Sequence, residues 1–143
     1  MTRSEREAFL AGLHVGVISI ERADAAPLAV PIWYDFTPAK GLWVLTGKDS
    51  QKGRALAAAG RFALCAQVET PPAYQYVSVE GPIVETRPAD QEQDSRPMAH
   101  RYFGKELGDA YIASTPDEAS LVFTMRPERW RTVDYTKLGA GAV

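Results

Sequence analysis

Basic and hydroxyl side chains cluster near the middle of the sequence, where an apolar run gives way to a helix-forming one. The run Leu42–Leu45 is typical of a strand, and it leads through Gly47 into the alanine-rich stretch 51–59, which is typical of a helix. Ser50 or Asp49 could cap that helix. The first N–H groups of a helix lack intrahelical partners and lie at the positive end of its dipole. An anion placed there gains hydrogen bonds and charge attraction.

The cations of this segment are Lys48, Lys52 and Arg54. Together with the helix start they predict a phosphate-binding cradle, although a capped helix with solvated basic residues would have the same sequence. A nucleoside-triphosphate P-loop does not fit, because Lys52 precedes Gly53 and no hydroxyl follows to bind magnesium. The choice between a cradle and a plain capped helix therefore depends on the rest of the chain.

Length and composition predict one globular domain spanning residues 1–143. Hydrophobic residues make up 45% of the chain and charged residues 24%, as in ordinary globular proteins. Neither a membrane span nor a signal peptide is evident, so we expect a cytoplasmic protein with no membrane partner. The net charge of −2 and the lack of a long basic run argue against a nucleic-acid partner.

Cysteine and histidine offer little further chemistry. The single Cys65 excludes an internal disulfide, and its apolar neighbours predict a buried, unreactive thiol. The only histidines are His14, before a predicted strand, and His100, which we expect on a solvated helix face. Neither has neighbours at metal-ligand spacing, so no metal site is predicted.

A half-buried strand is predicted from Leu28 to Phe36, because apolar residues recur there with a period of two. The inward residues would be Leu28, Val30, Ile32, Tyr34 and Phe36. Pro31 faces the other way and cannot donate to a ladder, which predicts an edge, a bulge or a ligand at this point. The turn 37–41 then returns the chain as a hairpin into the strand that precedes the cradle.

The other elements follow from similar patterns and turn signals. They are a helix capped by Ser4 and running to Leu13, strands at 14–20, 61–68 and 74–85 with a bulge at Gly81-Pro82, a helical segment from Pro88 to about Gly104, a closing hairpin of 121–125 and 130–135, and a disordered tail over 136–143. Six or seven antiparallel strands with peripheral helices predict a small, mainly β barrel.

These elements occur in an order that resembles a known family. The strand containing Pro31–Phe36, the hairpin, the segment Thr46–Leu56 and the pattern Tyr76-(x)3-Glu80-Gly81 resemble the pyridoxamine-phosphate-oxidase-like split-barrel flavoproteins. The most similar branch includes the deazaflavin (coenzyme F420) dependent reductases. The resemblance covers roughly residues 8 to 135. It implies a split β-barrel that forms a homodimer, with a cofactor at the interface.

The resemblance also implies cofactor contacts. By position, Ser50 and Lys52 would hold the cofactor phosphate with Thr46 beside it, and the ring would lie along the backbone near Pro31, Ile32 and Trp33. FMN and the deazaflavin both present a phosphate there, so the cradle fits either cofactor. Lys48, Arg54 and Arg61 are available for the additional acidic tail of the deazaflavin.

The activity implied is that of an oxidoreductase passing a hydride from coenzyme F420 or FMN to a small unsaturated or conjugated substrate. No catalytic side chain is assigned, because the cofactor carries the chemistry. True pyridoxamine-phosphate oxidase activity is not expected, since the chain is short and lacks a C-terminal segment matching that enzyme's substrate-phosphate site. The alternatives are a non-catalytic flavin, haem or bilin carrier of the same fold, and a structural barrel that binds nothing.

Aromatic residues are the remaining candidates for the pocket. They are Trp33, Tyr34, Tyr74, Tyr76 and Trp130. Such residues more often belong to a core or a dimer interface. We expect one or two of them to line the site.

Overall fold

A single antiparallel sheet dominates the computed structural model, which describes residues 1–115 and 119–138. Its strands are β1 (Gly16–Ile20), β2 (Leu28–Ile32), β3 (Tyr34–Thr37), β4 (Gly41–Gly47), β5 (Arg61–Val68), β6 (Gln75–Pro88), β7 (Ser120–Met125) and β8 (Arg129–Asp134). The helices are α1 (Arg3–Ala11), α2 (Gln51–Ala59), α3 (Arg96–Phe103) and α4 (Lys105–Ser114), with a π-helical turn at Gln91–Ser95 and a 3-10 turn at Tyr135–Leu138.

The strands lie in the order β2-β1-β5-β6-β7-β4-β3, with β8 paired to β6 beside this path. The sheet curls into a half-barrel, which confirms the predicted mainly β split barrel. The predicted six or seven strands become eight in the described residues, because the strand predicted from Leu28 to Phe36 is interrupted at Trp33. Alternation survives the interruption, so Ile32 and Tyr34 both point into the core. Pro31 lies on β2, at an edge of the sheet as predicted.

The long strand β6 joins the two halves of the sheet. Its first half pairs with β8 and its second half with β7, so the predicted closing hairpin of β7 and β8 is wrong. The segment that connects β7 to β8 passes over Gly81, where an added Cβ would lie 1.9 Å from the Arg126 carbonyl oxygen. The predicted bulge at Gly81-Pro82 is displaced as well, since the register shifts between Ile83 and Glu85. Glycine is needed at position 81 because the backbone of Arg126 lies too close for any side chain.

Both chain ends differ from the sequence-based expectation. Thr2, not Ser4, caps α1 through a reciprocal capping box with Glu5, and the helix ends at Ala11 before reaching Leu13. Leu10 of this helix is fully buried in the core. The predicted disordered tail began at residue 136, but Tyr135–Leu138 forms a 3-10 turn, and residues 139–143 lie outside the described part of the chain.

Helix α4 is absent from the prediction, which ended the helical segment near Gly104. Gly104 does end α3, with φ +80°, but the chain immediately begins α4. The two helices pack closely at Gly108, where an added Cβ would lie 2.7 Å from the His100 ring. In the described residues, no helix is both long and apolar enough to cross a membrane.

Candidate functional site

The interruption of the sheet at Trp33 is where the strands meet the helices. The Trp33 indole stacks on the ring of Tyr102 in α3, with centroids 4.9 Å apart and planes inclined by 7°. Phe103 packs edge-on at 5.0 Å, and Tyr111 of α4 lies 5.7 Å away. These contacts fix the indole as a rigid, flat surface between the sheet and the two helices.

Side chains of α3 bind the backbone around this interruption. The Tyr102 hydroxyl donates to the His14 carbonyl at 2.6 Å and accepts from the Tyr34 N–H at 3.1 Å. The Arg101 guanidinium donates to the carbonyls of Tyr34 at 3.0 Å and Gly12 at 2.7 Å. Both backbone polar groups of Tyr34, the residue after the interruption, therefore have a side-chain partner from α3.

The start of α2 forms a second part of the site. Ser50 is its N-cap, as one of the two predicted alternatives held, and the Ser50 Oγ accepts from the Gly53 N–H at 3.0 Å. The same hydroxyl donates to the Gly47 carbonyl at 2.6 Å and lies 3.2 Å from the Thr46 hydroxyl. A hydroxyl has one proton and two lone pairs, so these partners fill its capacity. The predicted contact between Ser50 and a cofactor phosphate stays a prediction.

Gly53 brings α2 against the end of β4. It is buried, and an added Cβ would lie 2.2 Å from the Gly47 carbonyl oxygen. Only glycine allows this approach without moving the backbone. As a result Lys52, one residue earlier in α2, lines the same pocket as Thr46 at the end of β4.

Two adjoining pockets have Trp33 in their lining. The strand pocket, of about 270 Å³, is lined by Val15, Pro31, Ile32, Trp33, Leu45, Thr46, Lys52 and Tyr111. The helix pocket, of about 340 Å³, is lined by Trp33, Leu45, Thr46, Gly47, Ala89, Gln91, Ser95, Met98, Tyr111, Ile112, Thr115 and Ser120. Four residues line both pockets, so the two cavities are neighbours across one partition.

The strand pocket collects five of the eight predicted cofactor residues. These are Pro31, Ile32, Trp33, Thr46 and Lys52. Ser50 lines neither pocket, but its hydroxyl contacts that of Thr46, which lines both. Lys48 and Arg54 are exposed and line neither pocket. One cation beside a flat indole and apolar walls fits a planar ligand that carries a negative charge.

Of the predicted aromatic set, only Trp33 lines these two pockets. Tyr34 is fully buried and donates to the Leu10 carbonyl at 2.7 Å. Trp130 packs against the core beneath the Arg6 guanidinium. Tyr74 and Tyr76 line a separate cavity near the end of the β5–β6 pair. Tyr111, which lines both pockets, was missed because α4 was not predicted.

Ion pairs hold the helices that close the helix pocket. The Arg87 guanidinium makes two bonds to Asp94, at 2.7 and 2.8 Å, and Asp94 also accepts from the Asp90 N–H at 2.8 Å. Asp94 is only 1% exposed, and the hydrogen bonds from Arg87 lower the pKa of its carboxyl group. This contact fixes the π-helical turn that carries Gln91 and Ser95.

A second cluster joins α3 to α4. Asp109 accepts from His100 at 2.6 Å, from Arg96 at 2.7 Å and from Lys105 at 3.2 Å. These three hydrogen bonds hold the pKa of the Asp109 carboxyl group well below its usual range. The prediction that His100 lies on a solvated helix face holds only in part, because its side chain is 32% exposed while its ring binds Asp109 of α4.

The other titratable candidates lie outside both pockets. Cys65 is half-buried and not buried as predicted, on the outer face of β5 opposite Val17, and desolvation raises the pKa of its thiol. His14 stacks on Phe9 at 4.4 Å, and desolvation lowers the pKa of its ring. Across residues 1–115 and 119–138, no group of three or more His, Cys, Asp or Glu side chains is placed to hold a metal ion.

Comparison with known proteins now identifies the family. A family model described as pyridoxamine 5'-phosphate oxidase matches residues 2–134. The chain belongs to this family. A search of curated protein sequences found no significant match.

Several solved structures share the fold of this chain. A conserved hypothetical protein from Mycobacterium tuberculosis is 20% identical, with a TM-score of 0.74 over 97% of this chain and 88% of the other. A protein named F420 reductase is 19% identical, with a TM-score of 0.71 over 87% and 94%. A haem storage protein from Vibrio cholerae is 11% identical, with a TM-score of 0.61 over 92% and 94%. At these identities the likeness establishes the shared fold, and function must be argued from the site.

Proposed function

We propose that this protein is an oxidoreductase that binds coenzyme F420 or FMN in the strand pocket and reduces a small conjugated acceptor. The observation that carries this proposal is the meeting of Pro31, Trp33 and Lys52 around one cavity, although they come from separate elements. A bound deazaflavin or flavin would supply the hydride chemistry, while the protein binds, orients and excludes water.

Each part of the pocket has a role in this proposal. Lys52 and the N–H groups of the first turn of α2 would attract the phosphate. The flat surface of Trp33 and the edge of β2 at Pro31 would bound the ring. Ser50 would act indirectly, because its hydrogen bonds to Gly47 and Gly53 hold the start of α2 in place. Lys48 and Arg54 are exposed nearby and would meet the acidic tail of the deazaflavin.

We further propose a homodimer with the pocket near its interface. The support is the exposed apolar surface that adjoins the strand pocket: Val15 is 54% exposed and Val17 41% exposed. Val17 pairs across the sheet with Pro31 on one side and Cys65 on the other, so this surface continues over three strands. Light scattering should give about twice the chain mass. A monomer that still binds cofactor tightly would remove the claim.

A carrier without catalysis is the competing function, because a haem storage protein shares the fold. The described residues that line the two pockets include no His or Cys, two of the usual haem ligands, and their lysine and indole fit a flavin-type cofactor better. Stopped-flow reoxidation of the reduced cofactor by enones and quinones separates the two functions. Tight cofactor binding without turnover across such a panel would favour the carrier.

Lys52→Ala tests the cofactor site directly. Losing one charge-assisted hydrogen bond is worth roughly 1.5–3 kcal/mol, so affinity for FMN or coenzyme F420 should fall about 10- to 100-fold. Lys40→Ala is the control, since Lys40 lies over the Trp43 ring in the β3–β4 turn and lines neither pocket. Calorimetric titrations at one salt concentration compare them. Equal affinities in the two variants would show that the phosphate binds elsewhere.

A further inference from the structure

The two pockets differ in charge. The strand pocket has Lys52 in its wall, whereas the described residues that line the helix pocket are apolar or carry neutral hydroxyl and amide groups. Its polar groups include Gln91 and Ser95 of the π-helical turn, and its apolar wall includes Met98 and Ile112. A cavity of about 340 Å³ with this lining can accept a small ligand that is mostly apolar and carries hydrogen-bonding oxygens.

The two arginines that hold the π-helical turn and α3 beside the helix pocket are engaged in ion pairs. Arg87 is bound to Asp94, and Arg96 is bound to Asp109 and to the Glu92 carboxylate. None of these side chains lines the cavity. An anionic ligand entering the pocket would lose part of its hydration and find no cation among the described lining residues, which is costly in a partly buried site.

The helix pocket is also placed to receive a molecule beside the cofactor. Trp33, Thr46 and Tyr111 line both cavities, so a ligand in one lies next to a ligand in the other. Two aromatic side chains, Trp33 and Tyr111, line the cavity, and the Tyr102 ring stacked on Trp33 holds the indole in place. Flat aromatic walls favour planar ligands.

We propose that the helix pocket is the acceptor site and that it selects uncharged planar acceptors against anionic ones. This inference rests on the proposed function, because it assumes that a reduced cofactor occupies the strand pocket. The acceptor, a quinone or an enone, would gain a hydride from the reduced deazaflavin or flavin and one proton from solvent, and solvent would take up the ring N–H proton that the cofactor releases. The cofactor would be left oxidised, so electrons and protons balance.

A matched pair of probes tests the selection. 1,4-Naphthoquinone and its 2-sulfonate share one ring system and differ in charge. Equilibrium dialysis should show that the sulfonate binds at least about 10-fold more weakly than the neutral quinone, since the sulfonate finds no counter-ion. Similar affinities for the two probes, or no binding of either probe, would overturn the proposal.

A cation placed in the pocket should reduce or abolish the selection. Gln91→Lys introduces a cation in the lining, while Gln93→Lys introduces one in the same exposed turn outside the lining. We expect Gln91→Lys to improve sulfonate affinity about 10-fold relative to the neutral quinone, because a charge-assisted hydrogen bond becomes available. Gln93→Lys should leave the ratio near its wild-type value. Equal ratios in the two variants would place the acceptor elsewhere.

The outcomes also separate this inference from the proposed function. If both probes are reduced by loaded enzyme but Gln91→Lys leaves their affinities unchanged, the oxidoreductase function stands and the helix pocket is not the acceptor site. If the neutral quinone binds with the expected charge selection but is never reduced, the pocket assignment stands and the catalytic function fails. Cofactor affinity is measured in each variant, so that an indirect loss of cofactor is recognised.

Discussion

The two walls of the site are held in place by different kinds of contact. The sheet wall, formed by β2, β4 and the first turn of α2, is held by backbone ladders and by the apolar core beneath them. The helical wall, formed by the π-helical turn, α3 and α4, is held by ion pairs such as Arg87–Asp94 and by the hydrogen bonds of Tyr102. On the sheet side, the charged side chain of Lys52 lines the strand pocket. On the helical side, the charged side chains pair with one another and join the elements of the wall.

This difference bears on what each wall can bind. In the sheet wall, the strands and the N-cap of α2 hold Lys52 in the lining of the strand pocket. No ion pair is needed to position this residue. The helical wall uses its charged side chains to join elements, and the described residues that line its pocket are uncharged. Substitutions that remove a charge should therefore weaken the helical wall, and substitutions that change side-chain volume should weaken the sheet wall.

Asp94→Asn should have the largest effect on stability. It breaks a buried ion pair at its buried member, which costs about 3 kcal/mol of unfolding free energy. Arg87 is 34% exposed at its side chain and can regain some hydration, which keeps the cost at the low end of such losses. Denaturant unfolding measures the loss, and hydrogen exchange should show α3 and α4 losing protection before the strands.

Glu85→Gln is the matched control for that change. Glu85 is the other carboxylate bound to Arg87, at 3.1 Å, but its side chain is 56% exposed. An exposed pair contributes little, so its removal should cost well under 1 kcal/mol. Equal losses in the two variants would mean that the buried pair does not hold the helical wall.

Gly53→Ala should have the next largest effect, in the sheet wall. The new Cβ would lie 2.2 Å from the Gly47 carbonyl oxygen, so the start of α2 must shift away from β4. Overpacking of this kind costs typically about 1–3 kcal/mol. The loss should not depend on salt. Gln51→Ala, an exposed change in the same helix, is the control. A strong salt dependence of the loss in Gly53→Ala would show that the sheet wall also depends on charge.

The sheet wall was largely predictable from the sequence because its signals are local. The alternation from Leu28 to Phe36 and the cap at Ser50 lie within a few residues of the structures they specify. The interruption at Trp33 was not predictable, since the chain resumes with the same alternation on the far side. Its cause is distant in sequence, for Arg101 and Tyr102 supply the hydrogen bonds that replace the ladder.

The π-helical turn and α3 lie within the helical segment predicted from Pro88 to about Gly104, but α4 was missed because its contacts do not form an apolar stripe. Helix α4 packs through the missing side chain of Gly108 against His100, and its Leu107 is 65% exposed. A glycine inside a helix lowers the expectation of a helix from sequence. Tyr111 was missed for that reason, and with it one side of both pockets.

Tyr102→Phe should cost about 1–2 kcal/mol of stability, because it leaves the His14 carbonyl and the Tyr34 N–H without their hydroxyl partner. The ring that stacks on Trp33 is kept, so tryptophan fluorescence should change little. Tyr135→Phe is the control, since Tyr135 is 51% exposed. A loss no greater than that of the control would remove Tyr102 from the contacts that hold the walls together.

Asp109→Asn should have the smallest effect, because its side chain is 35% exposed and its partners can be hydrated. The informative quantity is its dependence on pH. Hydrogen bonds from His100, Arg96 and Lys105 lower the pKa of the folded carboxyl group. The unfolded state therefore binds the proton first, and the stabilisation is fully present above about pH 4 and declines as the pH falls through the folded-state pKa.

The asparagine variant lacks this titration, so the stability difference between wild type and Asp109→Asn should be larger at pH 5 than at pH 3. Starting at pH 5, below the ordinary pKa of histidine, limits the contribution of histidine titration. Glu106→Gln, an exposed change on α4, controls for the loss of a negative charge, and added salt should reduce the difference at pH 5. A difference that is unchanged between pH 5 and pH 3 would show that the Asp109 cluster does not hold α4 by charge, and that close packing at Gly108 alone positions this part of the helical wall.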